Sequence, residues 1–407
     1  YVKNIFYRKL ILTFSCLFLS SCVYFNTFYN TQNSFKKATE IIDNDSSINY
    51  KEDREISNTA KKLLYESISS SQIVIDKYSD SKYVDDAIYY MARSHFSLNE
   101  LYKSDKFFNQ LINNYPNSEY YSESQLWLEY THLKLGLLDS VAKNIILIEN
   151  DFKSRKEKDD KELYFLLHSL KGELFIKLEE YDKAFIEFEK SLDFVDSKST
   201  KTMMYSKLAY ICDSESKFNK AIEYLDKIQI TSNNKETRIE TFRRWLDIMK
   251  KMNNYDSIII EIQKKINESD FDSTVLKDEL NVELAMAYIE EKEFTQAKNL
   301  FNDIVDNTTQ KKIKSQAYYW LGVISLMHEF DLELSEEYFN LVTETIRSSD
   351  YSKQSKTYLK EIESYNEILD EYNFLLNSNE SEIITDISDD TGNNLIPMPI
   401  DIINNQE

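Results

Sequence analysis

GELFIKLEEYDKAFIEFEKSL, residues 172–192, is the stretch whose reading decides the fold. Gly172 precedes Tyr181, Ala184 and Phe188 at a spacing that predicts a helix, a short turn and a second helix. Gly172 and Ala184 let two antiparallel helices approach closely, while Phe175, Phe185, Phe188 and Leu192 fill the space between that pair and the next. The small position of the second helix recurs outward from here at Ser67, Ser104, Ala142, Ala184, Ala221, Ile258, Ala297 and Ser335. Successive gaps are 37, 38, 42, 37, 37, 39 and 38 residues, so about eight units follow one another in phase.

Punctuation between units supports the count. Tyr78-Ser79-Asp80-Ser81-Lys82-Tyr83 is echoed 37 residues on by Tyr115-Pro116-Asn117-Ser118-Glu119-Tyr120, where a proline suits the end of a helix. Two units are weaker. Ile258 replaces the small residue and predicts a wider helix pair, and Trp320-Leu321-Gly322 opens the last unit with about one residue too many before Phe339. The pattern resembles the tetratricopeptide repeat, whose usual length is about 34 residues. That resemblance implies an all-α, right-handed superhelical solenoid of helix pairs over 56–350, and residues 351–376 read as the helix that caps its apolar end.

Composition narrows the function. With 4 Gly in 407 residues, and Pro116 the sole proline before residue 397, neither a turn-rich β fold nor a Gly-rich phosphate loop can be drawn. The formal charge of -21 opposes sequence-independent nucleic-acid binding. Hydrophobic residues at 42% suffice for a core and exclude global disorder. Cys16, Cys22 and Cys212 offer no disulfide framework and no zinc spacing; Cys212, beside Leu208, Ala209 and Ile211, reads as a buried structural thiol. His95, His132, His168 and His328 stand singly in different units and read as helix-surface or interhelical residues. No catalytic set, metal site or cofactor is expected apart from a covalent lipid.

That lipid is expected at Cys22. Residues 1–21 combine a basic start (Lys3, Arg8, Lys9), an apolar run from Leu10 to Leu19 too short to span a bilayer, and small residues before the cysteine. Leu19-Ser20-Ser21-Cys22 resembles a bacterial lipobox, which implies a removed leader and a lipidated Cys22 held by more than one hydrocarbon chain. Residues 22–55 then form a tether and a first helix with Phe28, Phe35, Ala38 and Ile42 on one face. From Asn377 to Glu407 the chain carries seven acids and no Lys or Arg, and reads as a disordered acidic tail.

In the tetratricopeptide consensus, positions 2, 5, 9 and 12 of the first helix face the groove. They fall here on Tyr89, Arg93 and Phe96, then on Trp127, Tyr210 and Arg243, residue types that anchor protein interfaces. A register error of one residue would return Tyr89 or Trp127 to the core. Lipobox, aromatic helix and YxxSxY punctuation together resemble the outer-membrane assembly lipoproteins of the BamD type, most closely over Tyr78–Tyr121. The resemblance implies a non-catalytic scaffold anchored in the outer membrane and facing the periplasm, with envelope proteins, a β-barrel assembly protein among them, as partners. This chain departs from that family in having about eight units rather than about five. An accessory lipoprotein of a secretion or gliding system is the alternative. A glycan-capturing uptake lipoprotein would need Gly/Pro-rich insertions, and a peptidoglycan-cleaving enzyme a separate domain; the sequence offers neither. Cys22→Ser should release the protein from membranes, as read by fractionation, and unchanged retention after an alkaline wash would contradict the tether.

Overall fold

A computed structural model describes residues 27–43, 55–155 and 160–382. The expected leader and lipidation site, residues 1–22, and residues 383–407 lie outside the described residues. Within them the chain is all helix, with no strand, and the fold is that of a helical-repeat solenoid. In chain order the hairpins are α1 (27–43) with α2 (Asn58–Lys77), α3 (Val84–Ser97) with α4 (Leu101–Asn114), α5 (Tyr121–Lys134) with α6 (Leu138–Arg155), and α7 (Lys161–Lys177) with α8 (Tyr181–Leu192). There follow α9 (Lys198–Ser214) with α10 (Phe218–Thr231), α11 (Lys235–Lys251) with α12 (Tyr255–Lys265), α13 (Thr274–Glu290) with α14 (Phe294–Asn307), and α15 (Lys311–Ile324) with α16 (Leu332–Thr345). A long α17 (Asp350–Glu382) ends the series. Residues up to Ile258 together with Ser269–Phe271 make one compact body, and Ile259–Glu268 with the residues from Asp272 onward make a second.

One device closes the six hairpins from α3–α4 to α13–α14. The second residue past the first helix sits in the left-handed region at Asn99, Gly136, Glu179, Ser216, Asn253 and Lys292, with φ between 53° and 80°. Its amide bonds to the carbonyl three back, and the next amide to the carbonyl five back, as in Glu100 N to His95 O at 2.9 Å and Glu180 N to Phe175 O at 2.8 Å. This double bond satisfies carbonyls that the helix end would leave open. In all six the second helix begins two residues later, and the residue five beyond the turn is buried: Ser104, Val141, Ala184, Ala221, Ile258 and Ala297. The buried residue of the α5–α6 hairpin is therefore Val141, whereas Ala142 is exposed. The turn at Gly136 fixes this register, and the smallness of Ala142 misled the spacing by one residue.

Close approach is visible where the first helix has glycine. A Cβ on Gly172 would stand 2.7 Å from the Phe188 ring, and one on Gly322 would stand 2.8 Å from the Phe339 ring. The same offset of 16 residues matches buried Ala92 with Phe108, Ala209 with Leu225, and Ala285 with Phe301. Gly322 and Phe339 are one residue further apart, and the structure absorbs the extra residue in a turn of π-helix, Ser325–Glu329, that ends with Phe330 at φ 56°. A single inserted residue is the usual origin of such a turn.

First helices begin on side-chain caps where the loops allow. Asp160 accepts from the amides of Glu162 and Leu163, and Asn234 from those of Glu236 and Thr237. The YxxSxY segments instead form matching turns, Ser81 N to Tyr78 O and Ser118 N to Tyr115 O, with Pro116 second in its turn. Their closing tyrosines also plug the core: Tyr83 stacks on Phe28 at 4.6 Å and Tyr120 on Tyr89 at 4.2 Å. α17 continues to Glu382, past Asn377 where the sequence reading starts a tail, because no Pro or Gly interrupts the helix there. Cys212 is buried, and burial pushes its thiol up to about 11, which keeps it unreactive.

Gly172→Ala should force the buried Phe188 ring aside and lower stability by about 1–3 kcal/mol in urea unfolding. An unchanged unfolding midpoint would mean that the two helices are not held at this distance.

Candidate interaction wall on the first helices

Within the first body, α3 packs on α5 and α5 on α7, so the first helices meet along one wall. Four of the six sequence candidates gather there. Arg93 is the centre: its guanidinium carbon lies 3.6 Å from the Trp127 ring centroid, and also over the rings of Phe35 and Tyr89, at 5.4 and 5.6 Å. Phe96 meets Trp127 edge to face at 5.0 Å, Tyr130 lies 5.1 Å from Trp127, and the Lys134 ammonium sits 5.2 Å over Phe96. Cation–π contacts of this kind are worth about 1–2 kcal/mol each where partly desolvated.

Glu123 ties the cluster together. A single oxygen, Oε1, accepts from Arg93 Nη1 at 2.9 Å, from Trp127 Nε1 at 2.9 Å and from the Tyr89 hydroxyl. Arg93 Nη1 also donates to the Tyr89 oxygen at 2.5 Å. Side-chain exposure of only 16% for Arg93 and 18% for Glu123 makes this a partly desolvated pair, where losing one partner is costly. Burial, helped by Glu123, raises the Tyr89 phenol well above its ordinary value, so it stays a neutral donor.

The rungs have one spacing. Tyr89 reaches Glu123, Arg93 reaches Trp127 and Phe96 reaches Tyr130, each 34 residues on. Farther along, Glu173 of α7 pairs with Lys207 of α9 at the same separation. Glu123, Tyr130 and Lys134 were not among the sequence candidates, although a rule of 34 residues from Tyr89 or Phe96 finds the first two. Phe35 reaches the cluster from α1 and carries no such mark.

Accessibility differs within the set. Tyr89, expected to face the groove, is 3% exposed and stacks on Tyr120, so it belongs to the core and touches the wall through its hydroxyl. Correcting the α5 register puts buried Leu126 where Trp127 was expected, yet Trp127, half-buried, meets Arg93 as one of the rungs 34 residues apart. Tyr210 stands apart on α9, half-buried, its hydroxyl bonded to that of Tyr181. Arg243 is exposed on α11 and lies 3.5 Å from Glu240. Neither joins the cluster.

An acid pair lies at the base of the wall. Asp86 of α3 is buried beside Asp85 and shares a hydrogen bond with Glu119; burial first, then these two acids, push it up to about 7. The histidines are interhelical or at helix ends. His95 pairs with Glu100 at 2.6 Å, His132 with Asp105 at 2.9 Å, and His168 with Glu187 at 2.7 Å, while His328 stacks on Phe294 at 3.5 Å. Among the described residues no group of three or more His, Cys, Asp or Glu could hold a metal ion, and no helix is long and apolar enough to cross a membrane.

Residues 86–118, from α3 to the loop after α4, match the family model for the tetratricopeptide repeat. No curated protein matches the chain. Among solved structures it is similar to the C-terminal part of a TPR repeat-containing protein from Cytophaga hutchinsonii, at 14% identity over 65% of this chain and 97% of that one, with a TM-score of 0.48. It is also similar to a thermophilic TPR protein of Thermus thermophilus (15% identity, 52% and 97% covered, TM-score 0.37). A further likeness is to the APC/C hetero-tetramer Cut9-Hcn1 (11% identity, 75% of this chain, TM-score 0.35), of whose chain this one spans 56%.

Two measurements probe the wall. Glu123→Ala strands Arg93 without its acid and should cost roughly 3 kcal/mol of stability, whereas a loss within error would mean that the three donors are satisfied elsewhere. Because Asp86 binds its proton more tightly folded than unfolded, stability should fall as pH rises from about 4 towards 7. Asp86→Asn should therefore remove about 2–3 kcal/mol of the loss seen between pH 5 and pH 8, and identical pH profiles would contradict a buried Asp86 that holds its proton against its acidic neighbours.

Proposed function

We propose that this protein is a non-enzymatic docking scaffold that holds a protein partner against the first-helix wall around Arg93 and Trp127. One observation carries the reading: aromatic, cationic and acidic side chains from successive first helices are locked into a single preorganised surface, with Phe96 and Trp127 half-buried and Lys134 exposed at its rim. A surface whose rotamers are already fixed loses little entropy on binding, which favours affinity without large area. The tetratricopeptide match over residues 86–118, which takes in Arg93 and Phe96 of α3, supports a protein partner.

The finer reading rests on the leader. Lipidation at Cys22 would tether the scaffold to a bacterial membrane, and Val23 and Tyr24, in place of an acid beside the cysteine, favour the outer membrane with the repeats in the periplasm. Partners in the same membrane would then meet the wall at raised effective concentration, so modest affinity suffices. Envelope proteins, with a β-barrel assembly protein first among them, are the proposed partners.

A photo-crosslinking amino acid placed at Lys134 and, separately, at the exposed Leu147 of α6 tests the wall in intact cells. Adducts from position 134 to an envelope protein, absent from position 147 and lost on Phe96→Ala, are expected. Equal adducts from both positions, or none from 134, would contradict docking at this wall.

A further inference from the structure

α17 does more than cap the last hairpin. Its 33 residues are about twice the 14 of α15, the first helix on which it packs. The first half is spent on packing: Ser352, Ser355 and Ile362 are buried, Tyr358 stacks on Phe339 at 5.0 Å, and Tyr351 lies 5.0 Å from Tyr319. From Glu363 to Leu376 no residue is buried. The apolar stripe nevertheless continues unbroken. Ser355, Tyr358 and Ile362 are followed by Tyr365, Leu369, Tyr372 and Leu376, alternating steps of three and four that repeat as a heptad. Tyr372 is 47% exposed, Leu376 45% and, beside the stripe, Ile368 is 66% exposed.

The flanks of this overhang decide what can cover it. Glu363, Glu367, Asp370 and Glu371 surround the stripe, and Glu363–Leu376 contains no Lys or Arg. A second copy of the chain would set these acids against themselves. Residues 383–407 hold five further acids and no base, so they meet the same repulsion, as does an anionic lipid surface. A helix with apolar residues at heptad spacing and lysine or arginine beside them satisfies both the stripe and its charge. We propose that the overhang of α17 is a second docking surface, distinct from the first-helix wall, that takes a cationic amphipathic helix of a partner protein as a two-stranded coiled coil.

The test uses the full chain and a labelled 21-residue synthetic peptide with Leu at the a and d positions and Lys at e and g, followed by fluorescence anisotropy. A second peptide carries Glu at e and g. The Lys peptide should bind and the Glu peptide should not. Leu369→Asn with Tyr372→Asn should weaken Lys-peptide binding by about tenfold or more, the scale expected from losing two buried apolar side chains, with thermal unfolding of the hairpins unchanged. Glu367→Lys, Asp370→Lys and Glu371→Lys together should reverse the preference between the two peptides. Undiminished Lys-peptide binding by the Asn variant would mean attraction to net charge alone, and would overturn the proposal. So would absence of binding, or a concentration-dependent dimer of the wild type that the Asn variant abolishes, which would give the stripe to a second copy.

Discussion

Everything in this structure hangs on a turn in which one residue takes the left-handed backbone and the fifth residue beyond it is buried. The two hydrogen bonds of that turn end one helix and aim the next back along it. Only Gly136 of the six regular turns is a glycine; Asn99, Glu179, Ser216, Asn253 and Lys292 adopt the same backbone, at a conformational cost of about 1 kcal/mol each. That cost is tolerated because the hairpin it closes buries Phe108, Phe188 or Phe301 completely. Local strain and interhelical packing are thus two halves of one arrangement.

The same register builds the wall. Once the turns fix their hairpins, residues 34 apart come side by side on α3 and α5 and again on α7 and α9, and chemistry then follows from which residues stand there. On α3 and α5 the result is a cationic, aromatic and acidic set joined through one carboxylate oxygen of Glu123. On α7 and α9 it is an ion pair between Glu173 and Lys207. The hydrogen bonds that hold Arg93 over Trp127 also keep both side chains from collapsing into separate packing, so stability and presentation are served by the same contacts.

Much of this was legible in the sequence, and the failures have a physical reason. Gly172 opposite Phe188 shows the helix pair because only a missing side chain lets a ring lie so close. The extra residue between Gly322 and Phe339 is equally visible, although its accommodation as a π turn is not, since that depends on which carbonyl finds a partner. Ala142 misleads because smallness was read as the mark of the buried position. The mark is distance from the turn, and Val141 and Ile258 show that a branched residue can occupy that place. Arg93, Phe96 and Trp127 are recoverable as a set, whereas the burial of Tyr89 depends on Tyr120 stacking over it from the next loop, and Glu123 looks in isolation like any acid in a first helical turn.

The central claim is that six successive hairpins share one hydrogen-bonded turn. Amide hydrogen exchange of the full chain, resolved by mass spectrometry over the turn peptides, tests it most directly. The amides of Glu100, Leu137, Glu180, Lys217, Asn254 and Glu293 each bond to a carbonyl five residues back, so they should exchange as slowly as the interior of the helices they follow. Exchange at these six amides as fast as in an open loop would contradict the shared turn, and with it the register on which the wall is built.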